Sequence, residues 1–233
     1  MKIVVISDVH ANLEALNALP ELGDELWVLG DLVDYGPNPR EVVSLLRSRA
    51  EFAVRGNHDQ AVGFEDDPHC TPRHRQMALE TRDLTIQKMN GDLTRYLQQL
   101  ALHRTVERDG RSFYLCHATP SDPLYGYCPA ESDRWAKEVE AIKVDYLLVG
   151  HTHTPFIRQV GSTTVVNPGS LGQPKTGKPD ACYAVWYHDH FELKQFSYPY
   201  TETLQKLQQL PVSEEVKHDL ETVLVSESLP LQR

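Results

Sequence analysis

Cysteine is scarce and scattered in this chain: four in 233 residues, at Cys70, Cys116, Cys128 and Cys182, with no Cys-x-x-Cys pair. That usage argues against a disulfide framework and for reduced thiols in a cytoplasm. Long apolar runs are missing as well; none approaches the ~20 residues that a membrane span needs. The opening Met-Lys-Ile-Val-Val-Ile-Ser is too short for a signal peptide and lacks a small-residue cleavage site. Basic residues are in deficit, 23 Lys and Arg against 33 Asp and Glu, for a formal charge of -10. General binding to nucleic-acid backbones is therefore not expected. There is no repeat, low-complexity stretch or linker, and nothing points to a particular oligomeric state. What remains is an ordinary soluble composition, 40% apolar and 24% charged, long enough to bury a sizeable core and read as one domain over residues 1–233.

The first third alternates strand and helix. Lys2 to Ser7 is a continuous β-branched run, suited to a strand buried on both faces. Asn12 is placed to cap a helix carrying Leu13, Leu16 and Leu19, ended near Pro20. Leu26–Leu29 is a second strand, Pro39 to about Ser48 a helix, and Phe52–Val54 a third strand. This order favours parallel strands with covering helices. Thr71-Pro72 opens a helix to roughly Met89, and Asp92 is placed to cap another ending near Leu100. Asp109-Gly110 then joins two strand-like runs as a hairpin, the second being Phe113–Cys116. A helix over Ser132–Ile142, a strand at Tyr146–Val149, and strands at Phe156–Val160, Thr163–Val166, Cys182–Tyr187 and Phe191–Phe196 follow. Residues 202–224 read as one or two amphipathic helices. So many strands would strain one open sheet, which points to an α/β (mixed α+β) fold with two stacked sheets and helices outside.

Five short motifs stand where these strands end: Asp8-Val9-His10, Gly30-Asp31, Gly56-Asn57-His58-Asp59, His117, and Gly150-His151-Thr152-His153. The carboxyl ends of strands are where α/β sheets bind ligands. Skipping one residue lets Asp8 and His10 face the same side of an extended segment. Asp31 is a lone carboxylate able to bridge two cations. The amide oxygen of Asn57 suits a hard cation without adding charge, and His58 is positioned to hold a proton for a leaving group. Each motif alone has a plain reading: a helix-capping Asp, a turn Gly-Asp such as Gly23-Asp24, a hydrogen-bonded His. Their coincidence at five strand ends, in a chain with 11 histidines, favours metal binding. Hard oxygen and imidazole donors in this number suit two divalent transition-metal ions, Mn²⁺ first, with Fe, Ni, Co or Zn acceptable. With Asp8 and Asp31 the only anionic ligands, such a pair of cations would leave a local charge of about +2, enough to draw a small phosphoester into an acidic protein. The reading is therefore a two-metal phosphoester hydrolase. His188-Asp189-His190 sits between strands and reads as a turn; His69, Cys70 and His74 read as loop and helix start; Cys116 reads as an inert core thiol.

In this order the motif string resembles that of the calcineurin-like metallophosphoesterases, over residues 8 to 153, with the small prokaryotic phosphodiesterase branch the nearest in character. The resemblance implies a four-layer αββα sandwich of two mixed sheets. It assigns Asp8, His10 and His153 to one metal, Asn57, His117 and His151 to the second, and Asp31 to the bridge. It makes His58 the proton donor and Asp34 the carboxylate that orients it, with a metal-bridging hydroxide as nucleophile. Asn167-Pro168-Gly169-Ser170 is implied to be a loop beside the site. One departure matters. Where phosphatases of this superfamily carry an arginine, this chain has Tyr35, and an arginine fork grips a terminal phosphate as tyrosine cannot. That favours a phosphodiesterase over a phosphomonoesterase acting on proteins or nucleotides. A non-catalytic metal-binding scaffold is the remaining alternative, disfavoured because His58 is retained. Asn57, His58 and Tyr35 are the candidate substrate contacts. The 60–90 segment and the loop Pro120–Pro129 are expected to shape the pocket, with Tyr125 and Tyr127 available to stack a ring, for instance that of a nucleotide.

Overall fold

In a computed structural model, which describes residues 1–225, ten strands divide equally between two sheets. Residues 226–233 of the expected domain lie outside the described residues. The first sheet runs β10 (His190–Phe196), β9 (Ala181–Tyr187), β1 (Ile3–Ile6), β2 (Glu25–Val28), β3 (Phe52–Ala53). The strands β1, β2 and β3 are parallel, and β9 and β10 are antiparallel to their neighbours. The second sheet runs β4 (His103–Arg108), β5 (Arg111–Cys116), β6 (Tyr146–Leu148), β8 (Thr163–Asn167), β7 (Phe156–Val160). Here β5, β6 and β8 are parallel, and the edge strands β4 and β7 are antiparallel. Both sheets are thus mixed, with a parallel trio inside.

The pleat explains the layers. Alternate residues of β1 point opposite ways: Ile3 and Val5 join Trp27, Leu29, Phe113, Leu115, Leu148 and Trp186 between the sheets, whereas Val4 and Ile6 face helices. Phe113 is the keystone of the inner layer, edge-on to Trp27 at 5.2 Å and to Trp186 at 5.5 Å, and stacked on Tyr146 at 5.0 Å. Outside the first sheet lie α1 (Leu13–Asn17), α2 (Pro39–Arg49) and α5 (Gly91–Gln99), which bury Ala15, Val42, Val43, Leu46, Leu93 and Leu97. Outside the second lies α6 (Arg134–Ile142), with Trp135 packed on Phe156. The four-layer αββα sandwich is present.

Several element boundaries differ from the sequence reading. Asn12 caps α1 as expected, its side chain accepting from Ala15 N, but the helix is one short turn. Asn57-His58 begins an unforeseen helix, α3 (Asn57–Phe64). Few apolar residues mark it, and its start is fixed instead by the Asp59 carboxylate bonding the N–H of Gly56 at 3.0 Å. The helix α4 (Pro72–Lys88) follows Thr71-Pro72 as expected. The cap of α5 is Asn90, which accepts from the N–H groups of Asp92 and Leu93; Asp92 lies inside the first turn. The last segment is two helices, α7 (Tyr200–Leu207) and α8 (Glu214–Val225), parted around Pro211. They pack with Met77 and Ala78 of α4 around Tyr35. Both hairpin turns hold as read, with left-handed residues at Asp109-Gly110 and at His188-Asp189.

Candidate metal centre

Six parallel strands bring their carboxyl ends to one edge of the sandwich, so loops far apart in sequence meet across the seam between the sheets. Asp8, Asp31 and Asn57 follow β1, β2 and β3; His117, and His151 with His153, follow β5 and β6. Backbone bonds lock these loops together: Asp8 N donates to Gly30 O at 3.0 Å, His10 N to Asp31 O at 3.0 Å, and Gly150 N to His117 O at 2.7 Å. Two glycines are steric necessities. A Cβ on Gly56 would stand 2.0 Å from Asp31 Oδ1, and one on Gly150 1.9 Å from Ser7 Oγ.

The side chains gather in two groups, Asp8 with His10 and His153, and Asp31 with His117 and His151; the facing ligand atoms of each lie within 4.8 Å of one another. All but His151 are buried. Asp31 Oδ2 is 3.2 Å from His117 Nε2 and 3.8 Å from His10 Nε2, and so stands between the groups. Asn57 Oδ1 is 3.1 Å from His117 Nε2, its amide held in that sense by Nδ2 donating to Pro68 O at 2.9 Å.

The donor chemistry tests the fit to cations. Carbonyls accept, so the ring nitrogens that meet them must donate: His10 Nδ1 to Val33 O at 3.0 Å, His153 Nδ1 to Gln173 O at 2.8 Å, His117 Nδ1 to Leu29 O at 2.7 Å. In the neutral ring the other nitrogen is then a bare lone pair. Yet His10 Nε2 and His153 Nε2 face one another at 3.2 Å; His117 Nε2, which shares its proton with His151 Nδ1 at 3.2 Å, is the exception. Asp8 Oδ1 lies 3.3 Å from His153 Nε2, buried and with no hydrogen bond. Lone pairs opposed in a low-dielectric pocket repel, and a cation between them reverses the sign. The residues fit a pair of divalent cations.

Charge states follow the same geometry. Burial pushes the imidazoles of His10 and His151 down to about 3. Burial alone would raise Asp8 and Asp31, but facing imidazoles, led by His153 and His117 respectively, hold both below the ordinary carboxylate value. At His117 burial opposes a proton while Asp31 outweighs it, lifting the ring to about 9; cation uptake there has a proton to displace. His58 Nδ1 bonds Asp34 Oδ2 at 2.8 Å, both buried. Burial resists charge on His58, but Cys70, Asp31 and the bond to Asp34 hold its pKa well above the usual imidazole range. Burial raises Asp34 in turn, against the pull of His58.

Strain concentrates here. Asp8, His10, Asp31, Asp34, Tyr35, His151 and His153 all have φ between +44 and +66, a region costing non-glycine residues of order 1 kcal/mol or more and typical of functional sites.

A cleft of about 360 Å³ opens over Asp31, Asn57, His58, His151 and His153. Tyr125 and Tyr127 line it as expected, and Tyr35 forms part of its floor, its hydroxyl 3.4 Å from Cys70 Sγ. His69, Cys70 and His74, read as plain loop and helix start, do sit there, yet they also line the cleft, and Cys70 Sγ lies 3.6 Å from His58 Nε2. The Asn167-Pro168-Gly169-Ser170 loop is beside the site: Asn167 Nδ2 donates to Gly150 O at 2.7 Å and Ser170 Oγ to Asp8 O at 2.7 Å. Residues given no role in the sequence reading also matter. Asp59 accepts from the N–H of Asp31 and Leu32, both at 2.8 Å, and Gln173 supplies the carbonyl that orients His153. Lys175 lines the same cleft.

Two five-stranded sheets carrying these donors along a common edge define a metallophosphoesterase. The chain belongs to the calcineurin-like phosphoesterase superfamily, whose domain model matches residues 1–190. It is 28% identical over 204 residues to the phosphodiesterase YfcE of Escherichia coli, across 81% of this chain and 89% of that one. It is 30% identical over 215 residues to an uncharacterized protein of Methanocaldococcus jannaschii, across 82% and 85% of the two chains. A crystal structure of a metallophosphoesterase from Sphaerobacter thermophilus superposes with a TM-score of 0.79 at 28% identity, covering 95% of this chain and 98% of that one.

Proposed function

We propose that the protein is a phosphodiesterase working with two divalent cations, Mn²⁺ the first to test. Asp8, His10 and His153 would hold one, Asn57, His117 and His151 the other, and Asp31 both. The observation that carries the reading is the close approach of two ring nitrogens, His10 Nε2 and His153 Nε2 at 3.2 Å, whose Nδ1 atoms both face carbonyls, around the orphaned Asp8 Oδ1. Such cations supply Lewis-acid charge to a phosphoryl group and lower the pKa of water toward neutrality. The protein's own part is proton control. Asp34 holds His58 Nδ1, which leaves Nε2 facing the cleft as the acid that protonates a departing alkoxide. The absence of an arginine at Tyr35, and likeness to a relative named as a phosphodiesterase, support a small diester substrate over a monoester. Four unpaired cysteines suit a cytoplasmic setting, and among the described residues no helix is long and apolar enough to cross a membrane.

The test compares bis-p-nitrophenyl phosphate with p-nitrophenyl phosphate on Mn²⁺-loaded protein, with the diester expected to be turned over faster. His58→Ala should keep its metal and lose about 10²–10⁴ in rate, least for leaving groups that need no proton. Asp31→Asn should instead lose bound metal, read by elemental analysis. Preference for the monoester would overturn the diester assignment, and equal loss for good and poor leaving groups would remove His58 as the donor.

A further inference from the structure

Among the described residues lining the cleft, Lys175 is the one Lys or Arg side chain. It is half-buried, yet among the described residues it makes no hydrogen bond and no ion pair. A desolvated ammonium without a partner is costly, and such groups are normally paired. The surrounding loop is not loose. Leu171 N donates to Ser7 O at 2.9 Å, Gly172 N to Asp8 O at 3.0 Å, and Gln173 N to Ser170 Oγ at 2.7 Å. Two residues before Lys175, the Gln173 carbonyl also fixes the ring of His153 at 2.8 Å. The lysine is therefore mounted on the same backbone that sets two candidate metal ligands.

The acidic groups that act on it electrostatically are Asp8 and Cys70, the latter beside His58. Asp8 is a poor permanent partner, because a cation bound to it cancels its charge. Lys175 would then face net positive charge, and the species that resolves this is an anion lying between them. We propose that Lys175 is the substrate-positioning cation of this site: its ammonium grips a non-bridging oxygen of the phosphoryl group as a point charge. This rests on the phosphoester reading above. Burial lowers the affinity of Lys175 for its proton, and a bound phosphate would restore it.

The test has two independent readouts on Mn²⁺-loaded protein. The first is calorimetric titration with inorganic phosphate, where Lys175→Gln should weaken binding by about tenfold and Lys175→Arg should recover most of it. The second is turnover of bis-p-nitrophenyl phosphate, where Lys175→Gln should raise KM by about tenfold and change kcat by less than about threefold. Metal content and Tm should match the parent. Phosphate affinity unchanged by Lys175→Gln overturns the assignment, as does an undetectable affinity in the parent protein. So does a loss confined to kcat, or one that Lys175→Arg fails to repair. If the parent hydrolyses neither ester, the phosphodiesterase reading falls, and the phosphate titration still decides the role of Lys175.

Discussion

Asp59 ties together two loops that carry candidate ligands. One of its oxygens accepts from Leu32 N and the other from both Asp31 N and Gly56 N, all within 3.0 Å and fully buried. An asparagine is the same size but has a single acceptor oxygen and no charge. Asp59→Asn should therefore lower stability by about 2–3 kcal/mol and reduce Mn²⁺ occupancy, although residue 59 touches no metal position. Unfolding in urea and metal analysis of the same sample check both; unchanged values would show the three bonds to be incidental. The difference between Asp59 and its neighbours shows what a sequence makes visible. Asp8, Asp31, Asn57, His117, His151 and His153 could be picked out because ligand-type residues stood at the ends of apolar runs. Asp59 has no such mark, since an acidic residue near a helix start has many uses. Gln173 acts through its backbone carbonyl and Lys175 through its surroundings, and neither leaves a trace in residue type. Nor does the left-handed backbone of Asp8 or His153, which is imposed by loops closing from both sheets.

At the level of elements, β-branched runs and hairpin glycines made the strands legible, and the stacking of two sheets followed from their number. Helix starts were harder. α3 escaped because Asn57–Phe64 is too short and too mixed to show an apolar stripe, and its first turn is spent on the site. α5 was displaced because Asn90 and Asp92 are both good cap residues, and only geometry selects Asn90. This has a direct check. Asn90→Ala should cost about 1 kcal/mol, the usual value of an N-cap. Asp92→Ala should cost less, since it loses an exposed pair with Arg95 and a favourable place in the first turn. The reverse order in thermal denaturation would restore Asp92 as the cap.

On the scale of the whole molecule, the candidate ligands are divided between the two sheets: Asp8, His10, Asp31 and Asn57 belong to one, His117, His151 and His153 to the other. The cations should therefore act as cross-braces of the fold. Removing them with a chelator should lower Tm, and restoring Mn²⁺ at 100 times its Kd should return about 2.7 kcal/mol. A Tm indifferent to chelation would mean that the native protein is held by its side chains alone.

Because Phe113 wedges Trp27 of one sheet against its own strand in the other, the brace also works backwards. Linkage is reciprocal: a substitution that lets the two halves drift apart must loosen cation uptake by the same free energy with which the cations had pulled them together. A chelator competition curve thereby becomes a strain gauge for the aromatic interior, sensitive to changes far from any coordinating atom.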